Sequence, residues 1–246
     1  MNGYNDKEVL FHGRFHIAIN LLGIITLGLI AALCIVQSMS QPAAPITKEV
    51  VPSITRITAV GDSITEGTVD KADAYPAQLQ NLLGDTYEVS NYGLSKVTLQ
   101  STGDKPYTSE QLYQQSLASD PAIVLIMLGT NDSKQKNWNA ARYKEELETF
   151  VDTYKNLPTR PKVYLLTAPV AHVYENMKND DVDAVVVEHE VVPIIKEVAA
   201  AKNIPYIDIF EVTKDHKNLF GDGVHPNAEG YGIIAKKVYE AIKETP

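Results

Sequence analysis

Short runs of apolar and β-branched residues alternate with amphipathic stretches through most of the chain. Runs of the first kind predict buried strands, and stretches with apolar residues at every third or fourth position predict helices. The predicted strands are Ile54–Val60, Thr86–Tyr92, Ala122–Leu128, Lys162–Ala168 and Ile204–Phe210. The predicted helices are Ala74–Leu83, Ser109–Leu117, Ala140–Lys155, Ala184–Lys202 and Asn227–Ile242.

This alternation favours an α/β fold, a three-layer α/β/α sandwich of flavodoxin-like type around a five-stranded parallel sheet. Right-handed crossover connections place helices on both faces of such a sheet. Ligands in these folds bind at the carboxyl ends of the strands. If the chain is an enzyme, its unusual polar residues should therefore follow the strands directly.

The segment from Ile17 to Val36 contains 20 residues without a charge, which matches the ~20 residues that a helix needs to cross a bilayer. A cleavable signal peptide has a shorter apolar core of about 7 to 15 residues. We therefore expect one transmembrane signal anchor, with a cleaved signal or a buried core helix as the alternatives. Lys7 and Arg14 precede the segment and favour a cytoplasmic N-terminus.

The predicted organisation is a cytoplasmic tail at 1–16, the anchor at 17–36, a linker at 37–53 and one globular domain at 54–246. The linker contains Pro42, Pro45 and Pro52 among small and polar residues, which is typical of a semi-extended tether. We expect a single-pass protein of the cell membrane whose domain lies outside the cytoplasm. Cleavage of the N-terminal segment would instead release a secreted domain.

The formal net charge is −9, and the charges of the first 37 residues cancel, so the acidic excess belongs to the globular part. An acidic domain disfavours binding to nucleic acid or to an anionic membrane surface. The one cysteine, Cys34, lies in the apolar segment, so the domain has neither an internal disulfide nor a thiolate metal site. We expect no metal and no cofactor, and the sequence leaves the oligomeric state open.

Polar motifs follow the first two strands. GDSIT, at 61–65, places Ser63 in a strand-to-helix turn, where its hydroxyl can act as a nucleophile or simply cap the helix. NYGLS follows the second strand and contains Gly93, where a backbone N–H can approach a substrate or a turn can need glycine. Neither motif is decisive alone.

Two further motifs follow the third and fifth strands. LGTND contains Asn131, whose side chain could donate to a developing oxyanion or could serve in a turn. GDGVHPNAEGY places Asp222 and His225 in one loop before a helix. A neutral imidazole can take the proton of a serine hydroxyl, and a carboxylate can orient that imidazole.

Together, GDSIT, the Gly93 segment, GTND and DGVHPN resemble blocks I, II, III and V of the SGNH (GDSL) hydrolases, in the family's order. The resemblance implies that Ser63 is the nucleophile, His225 the base and Asp222 its orienting partner. It also implies an oxyanion hole made by the backbone amides of Ser63 and Gly93 and by the side chain of Asn131. The 54–246 domain is then an SGNH hydrolase domain.

Several residues near these motifs also bear on the shape of the site. Lys96 follows Ser95 where many members of the family have glycine, so the loop shape can differ there. Asp62 and Asp132 resemble positions that brace the site by hydrogen bonding. The candidate pocket residues are His172, Trp138 and Tyr75, each with a surface or core role as the alternative.

The expected function is hydrolysis of carboxylic esters through an acyl-enzyme. The GTNDSKQKNW stretch resembles carbohydrate O-acetyl esterases, so we favour short acyl groups on a small-molecule or glycan substrate. The alternatives are a lysophospholipase or thioesterase acting on lipid esters, a cell-wall O-acyltransferase, and a non-catalytic surface binding module.

Overall fold

A computed structural model describes residues 53–67, 71–172 and 182–244. The predicted tail and anchor, and all of the predicted linker except its last residue, lie outside these ranges. Within them, no helix is long and apolar enough to cross a membrane. The membrane anchor therefore stays a prediction from the sequence.

The sheet has five strands, all parallel, in the order β2-β1-β3-β4-β5. The strands are β1 Thr55–Gly61, β2 Tyr87–Gly93, β3 Ile123–Met127, β4 Lys162–Leu166 and β5 Tyr206–Ile207. The chain places β2 on one side of β1 and then crosses to place β3 on the other. The carboxyl end of β1 is therefore the topological switch point, where α/β folds bind ligands.

Eight α-helices are present in the described ranges. They are α1 Ser63–Glu66, α2 Tyr75–Leu83, α3 Gln111–Leu117, α4 Ala140–Lys155, α5 Ala184–Val186, α6 Val192–Ala201, α7 Ile209–Thr213 and α8 Ala228–Glu244. A π-helical turn at Val187–Val191 joins α5 to α6, so the predicted helix over 184–202 contains an irregular segment. Short 3₁₀ turns lie at 107–109 and 217–219.

Helices cover both faces of the sheet, as β3 shows most clearly. Val124 and Ile126 pack in a buried cluster with residues of α4 and α6. Leu125 and Met127 point to the opposite face and pack with residues of α2 and α8. Because side chains alternate along a strand, a strand buried on both faces reads as a continuous apolar run. The predicted parallel α/β architecture is confirmed.

The fifth strand is much shorter than its apolar pattern predicts. Only Tyr206 and Ile207 pair with β4. Asp208 then caps α7, because its Oδ1 accepts from the backbone N–H of Glu211 at 3.2 Å. Phe210 N also donates to Thr167 Oγ1 at 2.8 Å. A side-chain cap thus ends the strand where the sequence pattern favours its continuation.

Candidate active site

Ser63 lies at the turn from β1 into α1 and is the first residue of that helix. Asp62 caps the helix, with its Oδ1 accepting from Ile64 N at 2.9 Å. The turn is tight: a Cβ on Gly61 would lie 2.0 Å from Thr65 Oγ1 and 2.7 Å from Met127 O. Glycine is therefore required before Asp62, and the turn places Ser63 at the switch point of the sheet.

The structure brings Ser63, His225 and Asp222 together in one hydrogen-bonded chain. Ser63 Oγ lies 2.9 Å from His225 Nε2, and His225 Nδ1 lies 2.6 Å from Asp222 Oδ2. Asp222 Oδ1 also accepts from the backbone N–H groups of Val224 and His225, at 2.9 and 2.8 Å. Both carboxylate oxygens are therefore engaged, and the geometry is that of a nucleophile, a base and an orienting acid.

The charge of Asp222 decides which ring nitrogen of His225 carries the proton. Its partial burial acts to raise the pKa, but hydrogen bonds from the backbone and ring of His225 and from Val224 N outweigh burial and lower the pKa. Asp222 is thus ionised at neutral pH and favours the tautomer with the proton on His225 Nδ1. His225 Nε2 then presents a lone pair to the Ser63 hydroxyl.

The loop that carries Asp222 and His225 is closed at its base and packed from below. Phe220 and Pro226 form an antiparallel bridge, and Asn227 N donates to Leu219 O at 2.8 Å. Val170, Leu219 and Phe220 form a small buried cluster. These contacts fix the loop over the switch point, although its preceding strand β5 lies at the edge of the sheet.

His172, a candidate pocket residue, lies against this loop. Its backbone N–H donates to Gly223 O at 2.7 Å, and its buried ring meets the Phe220 ring edge-on at 5.5 Å. Burial, followed by the charge of Lys217, lowers the pKa of His172. His172 is therefore a neutral side chain that supports the loop holding Asp222 and His225.

Asn131 follows β3, and its contacts join the loops after β2 and β3. Its Nδ2 donates to Val97 O at 3.1 Å. The carboxylate of the next residue, Asp132, accepts from Leu99 N at 2.9 Å and from Gln100 N at 2.8 Å. The bracing role expected for Asp132 is therefore visible as two hydrogen bonds across the site.

The structure corrects the interpretation of Gly93. Its backbone N–H donates to Asn91 Oδ1 at 2.8 Å, so this amide is already occupied and is not free for an oxyanion. A Cβ on Gly93 would lie 2.2 Å from Glu66 N and 2.6 Å from Thr65 C. Glycine is needed here because β2 packs directly against the backbone of α1.

A second amide in the turn after β2, that of Lys96, is a candidate for this role. Lys96 has φ 69°, a left-handed conformation that favours glycine. Ser95 on one side donates through its backbone N and its Oγ to Glu66 Oε2, at 2.7 and 2.5 Å. Val97 on the other side is held by Asn131. Among the described residues, Lys96 N–H has no hydrogen-bond acceptor. The sequence signal was Lys96 itself, at a position where the family that the motifs resemble often has glycine.

The contacts of Tyr75 and Trp138 are those of packed aromatic residues. Tyr75 is fully buried and packs in the core cluster that includes Ile64, and burial raises the pKa of its hydroxyl. The Trp138 ring packs on Tyr143 at 5.3 Å, and its Nε1 donates to Glu190 Oε2 at 2.9 Å. Both are explained by packing, the alternative reading of these aromatics.

The described residues offer no obvious metal site. No group of three or more His, Cys, Asp or Glu side chains in those ranges is arranged to hold a metal ion. The only cysteine, Cys34, lies outside them.

A model of the GDSL-like Lipase/Acylhydrolase family matches residues 59–233, which include Ser63, Asn131, Asp222 and His225. The match spans most of the chain and contains every strand except the first four residues of β1. The chain belongs to this family of SGNH hydrolases.

Similar proteins carry esterase names. An acetylxylan esterase from Xylanibacter ruminicola is 33% identical over 210 residues, which cover 76% of this chain and 43% of that protein. A multidomain esterase from Ruminococcus flavefaciens is 32% identical over 126 residues, 50% of this chain and 16% of that protein. The solved lipase/acylhydrolase from Enterococcus faecalis is 27% identical with a TM-score of 0.61, covering 78% of this chain and 96% of its own. The chain thus spans less than half the length of each of these two esterases.

Proposed function

We propose that this chain is a carboxylic ester hydrolase that removes short acyl groups, acetyl above all, from carbohydrates. The observation that carries the proposal is the chain of hydrogen bonds from Asp222 through His225 to Ser63, at 2.6 and 2.9 Å. A serine hydroxyl is a weak nucleophile near neutral pH, and a neutral imidazole within this distance activates it. The site lies at the switch point of the sheet, where substrate can reach it.

The reaction proceeds in two halves. Ser63 Oγ attacks the ester carbonyl while its proton moves to His225 Nε2, and the resulting imidazolium is stabilised by the Asp222 carboxylate. His225 then gives that proton to the leaving alcohol, and the acyl group remains on Ser63. Water, deprotonated by the same imidazole, attacks the acyl-enzyme and releases the acid.

Three N–H donors stabilise the tetrahedral oxyanion in this proposal. The backbone N–H of Ser63 has no acceptor among the described residues. Asn131 uses one side-chain hydrogen on Val97 O, and the second remains for substrate. Lys96 N–H replaces Gly93 N–H as the third donor, because its turn is tied to α1 through Ser95 and to Asn131 through Val97.

The choice of acetyl groups on carbohydrates rests on the sequence rather than on a shaped pocket. The GTNDSKQKNW stretch resembles carbohydrate O-acetyl esterases, and a similar protein is named an acetylxylan esterase. An enzyme tethered outside the cell would meet polymeric glycans there. A preference for long acyl chains would instead indicate lipid esters.

The test is hydrolysis of p-nitrophenyl acetate, butyrate, octanoate and palmitate by the full chain in detergent, beside Ser63→Ala. We expect turnover that falls with acyl length and disappears in Ser63→Ala, followed by acetate release from acetylated xylan. Turnover that rises toward palmitate would overturn the carbohydrate assignment in favour of lipid esters. Equal turnover in the wild type and Ser63→Ala would overturn the serine mechanism.

A further inference from the structure

We propose that Asn137 is a positioning residue that holds Asn131 in the geometry required for oxyanion stabilisation. This inference rests on the proposed function, in which Asn131 is one of the three donors. Asn137 lies six residues after Asn131, in the loop between β3 and α4, and it is 6% exposed. It does not take part in the Ser63–His225–Asp222 chain.

The side chain of Asn137 joins two loops through well-formed hydrogen bonds. Its Nδ2 donates to Asn131 O and to Asp104 Oδ1, both at 3.0 Å. Its Oδ1 accepts from Asp104 N at 3.1 Å. Both donor hydrogens and the side-chain oxygen of this buried amide are thus used, as expected for a polar group away from water.

The main chain of Asn137 extends the same network. Its carbonyl accepts from Gln100 Nε2 at 3.0 Å, and Gln100 N donates to Asp132 Oδ1. The loop after β2 and the loop after β3 are therefore linked at both Asn137 and Asp132. Such a closed network resists movement of any one member because several bonds must break together.

Asn131 is consequently held from two directions. Its carbonyl accepts from Asn137, and its side chain donates to Val97 O at 3.1 Å. Without the bond from Asn137, the Asn131 carbonyl loses its donor, and the Asn131 side-chain amide can shift off the oxyanion position. A displacement of about 1 Å at a catalytic group can cost on the order of 10²-fold in rate.

The first variant is Asn137→Asp, which keeps the size of the side chain but removes both donors. We expect kcat on p-nitrophenyl acetate to fall between about 10- and 100-fold while KM changes little. The matched control is Asn139→Asp, the same change two residues along the chain. Asn139 Oδ1 caps α4 by accepting from Arg142 N at 3.0 Å, and aspartate caps equally well, so kcat should be unchanged.

A second variant distinguishes a specific loss of kcat from a loss caused by general destabilisation of the fold. Asn137→Asp places a carboxylate beside Asp104, and adding Asp104→Asn restores one donor and one acceptor between these positions. The double variant should regain most of the lost thermal stability, but the Asn131 carbonyl still lacks its donor, so kcat should stay low. Recovery of kcat together with stability would overturn the inference, because the role of Asn137 would then be structural alone.

Coupling to Asn131 completes the test. Asn131→Ala should reduce kcat by about 10²- to 10³-fold, and Asn137→Asp added to it should cause less than about a twofold further loss. Fully additive losses would overturn the inference while leaving the proposed function standing. An unaltered kcat in Asn131→Ala would instead show that the oxyanion assignment itself has failed.

Discussion

Two buried carboxyl groups next to the site make the stability of the folded protein depend on pH. Burial raises the pKa of Asp62 and of Asp132 to about 6, from an ordinary 3.8. Between these values the folded state binds more protons than the unfolded state. The contribution of each group to the free energy of unfolding therefore falls as the pH rises through this window.

The variant Asp62→Asn tests this pH dependence at one residue. It removes the titrating group but keeps the helix cap, because the asparagine oxygen can still accept from Ile64 N. The free energy of unfolding of the variant, relative to that of the wild type, should rise by about 1 to 3 kcal/mol when the pH is raised from about 4 to about 7.5. Urea unfolding at both pH values measures the difference, with the exposed Asp85→Asn as control. A stability difference that is the same at both pH values would contradict the prediction.

The backbone of Lys96 stores strain at the turn beside the site. A left-handed φ costs a residue with a side chain roughly 1 to 2 kcal/mol, and glycine avoids this cost but loses more entropy on folding. Lys96→Gly should raise the free energy of unfolding by about 1 kcal/mol and keep kcat, because the donor is a backbone N–H. Thermal unfolding and the acetate assay check both parts, and a large loss of kcat would show that the lysine side chain itself contributes.

At the scale of elements, the site depends on close packing of β2 against α1. Gly93 approaches Glu66 N so closely that an added Cβ would lie 2.2 Å away. The same contact places the turn carrying Lys96 beside the helix that carries Ser63. A change at this contact should therefore affect both the fold and the oxyanion donors.

Gly93→Ala should lower the free energy of unfolding by at least about 2 kcal/mol, because backbone on both sides must shift. Gly221→Ala is the matched control: an added Cβ there meets nothing within 4 Å. Denaturant unfolding compares the two variants. Equal stabilities would mean that β2 and α1 can separate at little cost.

The element boundaries show where local patterns mislead. The β2 and α4 bounds follow the sequence pattern within a residue or two, and in α4 the buried residues recur at helical spacing. The pattern over 204–210 predicts one long strand, yet Asp208 starts a helix after two paired residues. Competition between a strand ladder and a side-chain cap is decided by which partner the tertiary structure supplies.

At the scale of the whole molecule, the uncharged segment Ile17–Val36 predicts where the enzyme works. The full chain should sediment with membranes and resist extraction by high salt, and detergent should release it. A variant lacking residues 1–40 should remain in the soluble fraction with the same kcat. Release of the full chain by salt alone, or its appearance as a shortened secreted form, would contradict an uncleaved anchor.

The sequence by itself determined the parallel α/β fold and the order of the four motifs, because periodicity and short turn motifs are local properties of the chain. It also indicated Ser63, Asp222 and His225 as candidate site residues, since residue types at strand ends indicate the chemistry they can perform. Only the tertiary structure decided that the loop beyond the edge strand β5 reaches Ser63, that Tyr75 is core, and that Asn91 occupies the Gly93 amide. Those outcomes depend on contacts between distant segments and on the direction of individual N–H groups, which no local pattern specifies.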